Sequence, residues 1–175
     1  KVLSAMSNSV IGYLDPDFFK IMEEVSEGLS KVYNSTGHSF AIAGSGSAGM
    51  EAGFVNLISE NEKLLMCNNG YFCKRMTLMA DRLEINYDTA DYDWGKKIDL
   101  DDLEEKLKKN DYAMVAAIHA ETSTGVLNPI KEIGELCKKY NARLMIDCVT
   151  SLGGTEIKFD EWNVDYAYSG TQKCL

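Results

Sequence analysis

Apolar and polar residues alternate along this chain in two rhythms. Phe18, Ile21, Met22, Val25, Leu29 and Val32 recur at helical spacing. Asp15-Pro16 opens that helix, because Asp can cap free amides and Pro suits the first helical position. The segment from Asn34 to Gly37 closes it. Short apolar runs and amphipathic stretches then take turns. Residues 39–43, 63–67, 83–87, 112–118, 143–146 and 164–168 read as strands. The stretch through Glu51, Val55 and Ile58 reads as helical, as do residues 72–82, 100–109 and 129–140. Residues 88–97 read as a polar loop. The run 112–118 lacks polar alternation, as a strand buried on both faces should. Strands alternating with helices predict an α/β fold: a mostly parallel central sheet flanked by helices.

Most of these strands end in polar or glycine clusters. The clusters are Gly44-Ser45-Gly46-Ser47, Asn68-Asn69-Gly70, residues 119–125, Asp147 and residues 169–173. In open α/β sheets ligands bind outside the carboxyl ends of strands, so these clusters should converge on one crevice. Residues 44–49 are formally GxGxxG. Glycines let the backbone approach an anion, and a helix start offers free amides and a positive dipole end. A plain strand–helix turn would carry the same pattern. A dinucleotide site needs an acidic residue ending the second strand, and that run ends instead at Asn68-Asn69. A simple phosphate fits better.

Asp147 ends an apolar strand, where a carboxylate needs a donor or a charge. Alone it reads as a buried, hydrogen-bonded Asp. As a cofactor residue it would face a protonated pyridine nitrogen. Lys173 alone reads as a surface lysine; near a crevice it could attack a carbonyl and form a Schiff base. Phe72 serves equally as core or as a stacking ring. The phosphate-type turn, the Asp and the Lys are more specific together than singly.

Composition narrows the field. A chain of 175 residues can bury a real core, and its net charge of −9 argues against nucleic-acid or anionic-membrane surfaces. The five cysteines form no CxxC pair, and His38 and His119 are the two histidines, so zinc-ligand spacing is absent and no metal is expected. The longest apolar run, 112–118, is too short to span a membrane, and residues 1–13 do not read as a signal peptide. The chain starts mid-pattern at Lys1 and stops at Leu175 with no helix over its last strand, so it is expected to be a fragment.

Five strings carry a resemblance: IGYLDPDFFKIMEE, GSGSAGMEA, NNGYFCKR, HAETSTGVLNPI and IDCVTSLGGTEIKFDEWNVDYAYSGTQKCL. Together they resemble fold-type I pyridoxal-phosphate (PLP) enzymes, specifically the alanine–glyoxylate/serine–pyruvate aminotransferase family of class V. The resemblance implies that residues 1–175 are one PLP-binding large domain, with the C-terminal small domain and its carboxylate-binding arginine absent. It implies transamination between alanine or serine and glyoxylate or pyruvate, by a homodimer.

Carried over by position, Lys173 would hold the cofactor covalently and move a proton between the substrate α-carbon and the cofactor. Asp147 would pair with the pyridine nitrogen, and Phe72 would stack on the ring, where Trp is usual. Ser45, Gly46 and Ser47 would hold the phosphate, with Gln172 near it and Thr122 near a cofactor oxygen. Tyr13 stands where His is common. A cytoplasmic location follows, with peroxisomal or mitochondrial placement as alternatives. Rivals are 2-aminoethylphosphonate–pyruvate and hydroxykynurenine aminotransferases, then cysteine desulfurase, whose usual histidines are replaced here by Gln172 and Phe72. A nicotinamide-dependent oxidoreductase and a non-catalytic remnant are more distant.

Overall fold

The computed structural model describes residues 1–175. Five parallel strands form its main sheet: β1 (Leu64–Asn68), β2 (Tyr87–Asp91), β3 (Met114–Ile118), β6 (Arg143–Asp147) and β7 (Tyr166–Tyr168). Their spatial order is β2-β1-β3-β6-β7. From β1 the chain steps to one side to make β2 and returns to the other side for β3. The order therefore reverses between β1 and β3, the kind of switch point at whose carboxyl ends open α/β sheets bind ligands. Ala120–Glu121 (β4) and Val126–Leu127 (β5) form a small antiparallel hairpin just beyond β3.

The strands are buried on both faces, and alternate residues feed two cores. On one face Leu65, Cys67, Val115, Ala117, Leu144 and Ile146 pack with Leu103 and Leu107 of α5 (Leu100–Lys109) and Ile133 of α6 (Ile130–Lys139). On the other, Leu64, Met66, Met114, Ala116 and Met145 pack with Phe54 of α3 (Gly46–Leu57) and Met76 of α4 (Tyr71–Arg82). The expected α/β fold with a mostly parallel sheet and flanking helices is what forms. A short α1 (Val2–Met6) and the long α2 (Pro16–Tyr33) precede it; Asp15 caps α2 through Asp17 N–H, and Asn34 ends it at φ 50°. No helix is long and apolar enough to cross a membrane.

Three expectations fail. Residues 39–43 form no strand; they run beside the open edge of β7 without pairing, and Phe40 and Ile42 stay exposed. A groove of about 350 Å³ separates the two. Residues 83–87 are not a strand either. Leu83 and Ile85 pack as the apolar end of α4, with Glu84 left-handed at φ 55° and Ile85 N–H bonded to the Ala80 carbonyl. β2 therefore starts at Tyr87, so the first part of the expected polar loop 88–97 is strand, paired with β1.

All five cysteines are free. Cys67, Cys73, Cys137 and Cys148 are buried, and burial raises every one of those thiols, Cys67 and Cys148 to about 12. Cys174 is exposed.

Candidate active site

The carboxyl ends of β3, β6 and β7 and the starts of α3 and α4 meet at one end of the sheet. Asp147 lies at its centre. It is the last residue of β6 and only 7% exposed. Its Oδ2 accepts from Tyr168 Oη at 2.7 Å, and its Oδ1 accepts from Val149 N–H at 2.9 Å. Burial pushes its pKa above the usual carboxylate value, against the pull of those two bonds.

Val149 links Asp147 to the glycine turn. A Cβ on Gly46 would meet Val149 Cγ2 at 3.0 Å, so the turn sits directly against the chain after β6. Ser45 is the N-cap residue of α3, but its side chain caps nothing, which leaves the first amides of α3 without a side-chain acceptor. Ser47 Oγ accepts from Arg75 of α4 at 2.7 Å. The Arg75 guanidinium also lies over the Phe72 ring, 5.7 Å from its centroid. Phosphate-type turn, aromatic ring and carboxylate thus form one connected surface.

The later glycine of the turn has a different task. A Cβ on Gly49 would meet Tyr168 Cβ at 2.8 Å, and one on Gly53 would meet the Tyr166 ring at 2.7 Å. These glycines let α3 lie close on β7, and Tyr166 Oη donates to the Gly49 carbonyl at 2.8 Å. The strand that a dinucleotide fingerprint needs before its first glycine does not form.

Thr122, on the turn of the β4–β5 hairpin, meets Thr150 hydroxyl to hydroxyl. Cys174 Sγ lies 3.5 Å from the Thr150 carbonyl, which brings the neighbour of Lys173 to the same surface. Lys173 was expected at the end of the last strand and is not there. β7 stops at Tyr168, and the lysine follows on an exposed turn where it makes no ion pair. Lys158, by contrast, is held by Glu156 at 3.7 Å and Glu161 at 3.3 Å. Gln172 folds against Gly170 and lines the groove with Ser45.

The Asn68-Asn69 cluster does not join the site. Asn69 bonds the Lys96 carbonyl and Asn128, pinning loops, and Asn68 bonds Asp91. His119 sits behind Asp147, its Nδ1 3.0 Å from Ser151 Oγ, and burial drops its pKa to about 4. No group of three or more His, Cys, Asp or Glu residues is placed to hold a metal ion.

Three residues here have no counterpart among the expectations. Arg75 had a readable signal, since it stands three positions after Phe72 and shares its helix face. Tyr168 looked like an ordinary strand residue. Glu121 is fully buried; its Oε1 accepts from Ser123 N–H at 2.9 Å and Oγ at 2.7 Å, while its Oε2 has no partner. Its side chain fills the space where Gly70 lacks a Cβ.

Known proteins share both sequence and shape with this chain. (S)-ureidoglycine–glyoxylate transaminase of Bacillus subtilis is 38% identical over 176 residues, covering 100% of this chain and 42% of that protein. Alanine–glyoxylate aminotransferase of Drosophila melanogaster is 37% identical, covering 100% and 45%. The crystal structure of an alanine–glyoxylate aminotransferase from Nostoc sp. superposes with a TM-score of 0.92 at 39% identity, covering 98% of this chain and 46% of that one. The chain spans less than half the length of the curated relatives it matches. The family model for class-V aminotransferases matches residues 4–175, and the chain belongs to that family.

Proposed function

We propose that the protein is a PLP-dependent aminotransferase acting on a small amino acid, alanine or serine, and a small 2-oxo acid, glyoxylate or pyruvate. Residues 1–175 would be its cofactor-binding large domain, and the working enzyme a homodimer. Glyoxylate recurs in the names of the relatives described above, which supports it as an amino acceptor.

The observation that carries the proposal is the buried Asp147 carboxylate at the end of β6, against the uncapped start of α3. An anion at that depth calls for a cation, and a protonated pyridine nitrogen is one. The other groups fit a phosphorylated pyridine aldehyde too: free amides and a guanidinium for the phosphate, an aromatic face for the ring, and a lysine without a carboxylate partner.

Bound PLP supplies an aldehyde that condenses with amines and a ring that withdraws electrons from the substrate α-carbon. Ser45, Gly46 and Ser47 offer amides and hydroxyls to the phosphate, and Arg75 adds positive charge beside them. Phe72 would stack on the ring, and Thr122 and Gln172 would offer it polar groups. Asp147 would keep a proton on the ring nitrogen. Lys173 would hold the cofactor covalently through its Nζ and would carry the proton taken from the substrate α-carbon.

Borohydride reduction of the full-length protein followed by peptide mapping tests this. A pyridoxyl adduct on Lys173 is expected. An adduct on Lys158, or purified protein that binds no PLP, refutes it.

A further inference from the structure

Tyr168 belongs to none of the roles assigned so far, yet it is the side chain in closest polar contact with Asp147. It is the last residue of β7, 4% exposed, and donates its hydroxyl to Asp147 Oδ2 at 2.7 Å. Three features hold it there. Its carbonyl accepts Cys148 N–H at 3.0 Å, which ties the end of β7 to the residue after Asp147. Its ring lies against α3 where Gly49 lacks a Cβ. Its neighbour Tyr166 anchors the same helix through the Gly49 carbonyl. The phenol therefore has little freedom to point elsewhere.

We propose that Tyr168 is a positioning residue for the transamination chemistry: its hydroxyl fixes the orientation of the Asp147 carboxylate that faces the cofactor ring. The inference rests on the Asp147 assignment above. With Val149 N–H on Oδ1 and Tyr168 on Oδ2, each carboxylate oxygen has one bond within the protein and keeps a further lone pair for a partner. Both donors favour the ionised form, and in a buried setting such bonds are charge-assisted.

The other groups that influence Asp147 leave this role to Tyr168. Glu121 from β4 opposes ionisation and Arg75 from α4 favours it. Cys73 of α4, Cys148 and Tyr33 of α2 are raised by burial and stay neutral. Tyr168 is itself raised well above the usual phenol value, by burial and then by Asp147, so it remains a donor at any working pH.

The test is a double-mutant cycle in the full-length enzyme: Tyr168→Phe, Asp147→Asn and the pair, compared with wild type. Phe keeps the ring that packs on Gly49 and removes only the hydroxyl. PLP affinity is followed by absorbance from acid to neutral pH, alongside the half-reaction rate. Tyr168→Phe should slow the half-reaction about tenfold and move the acid midpoint of PLP binding up by about one pH unit, the size of one charge-assisted bond. In the Asp147→Asn background the same change should alter neither quantity. An unshifted midpoint overturns the proposal, and so does an equal loss in both backgrounds, which would make Tyr168 a packing residue. If Asp147→Asn alone leaves PLP binding and rate untouched, the ring-nitrogen assignment fails and the Tyr168 proposal falls with it. Impaired Asp147→Asn beside an unaffected Tyr168→Phe overturns the Tyr168 role alone.

Discussion

Replacing Asp147 by Asn separates charge from hydrogen bonding. The asparagine oxygen can keep the bond from Val149 N–H, now 2.9 Å long. Its amide then faces Tyr168 Oη, which can rotate and accept instead of donate. Both contacts survive in reversed or equal polarity, so the fold should lose little. On the proposed reading, what vanishes is the negative charge that would face the ring nitrogen. Losing one such electrostatic contact costs about 3 kcal/mol of transition-state stabilisation, which is roughly a hundredfold in rate. PLP binding should weaken far less, because the α3 turn and Lys173 remain.

The cofactor-free protein should respond in the opposite sense. Burial raises the Asp147 pKa above its unfolded value, so the folded chain binds that proton more tightly. Wild-type stability from this group is full below the unfolded value of 3.8 and falls as pH rises through the raised folded value. Asn removes that decline, so the apo variant should melt no lower than wild type at neutral pH. Stopped-flow absorbance of the half-reaction and thermal melts of the apo protein measure the two effects. A variant that transaminates at near wild-type rate would make Asp147 a structural carboxylate only.

Other substitutions probe the scaffold. Gly46→Val puts branched atoms against Val149 and should reduce PLP retention far more than Ser59→Val beyond the other end of α3, as dialysis followed by absorbance would show. Gly134→Ala drives a Cβ into the backbone carbonyl of Trp162, which cannot swing aside; a loss of about 1–3 kcal/mol in urea unfolding is expected. Leu144→Ala empties a fully buried site between β6 and its helices and should cost about 2–5 kcal/mol by the same assay.

The parts of the fold that local patterning controls were readable from sequence. Asp15-Pro16 and Asn34 marked the ends of α2, and the uninterrupted run around Val115 marked a strand covered on both faces. The misplaced strand at 83–87 shows the limit. Leu83 and Ile85 are apolar because they close the end of α4, and a helix terminus and a short strand look alike over five residues. Residues 39–43 have strand-like composition, but a strand needs a partner, and the sheet edge beside them leaves a groove instead.

At the site, glycine spacing and strand-end residues were legible one by one. The pairings were not. Tyr168 reaches Asp147 across 21 residues, and Arg75 reaches Ser47 across 28, distances that no local periodicity encodes. The Gly49–Tyr168 contact is equally invisible in sequence, yet it gives the last glycine of the turn a packing reason in place of a dinucleotide one.

The distribution of sulfur has a practical side. Four thiols are sealed in the interior and held protonated, while Cys174 alone faces solvent, next in sequence to Lys173. Within this chain an alkylating dye or spin label meets one accessible sulfur, because the reactive species is the thiolate and the buried sites disfavour it. A reporter can thus be attached beside the lysine turn without an engineered cysteine, and its mobility would register the ordering of residues 169–173 as a ligand arrives. The same exposure makes Cys174 the first of the five thiols to be lost to oxidation during storage.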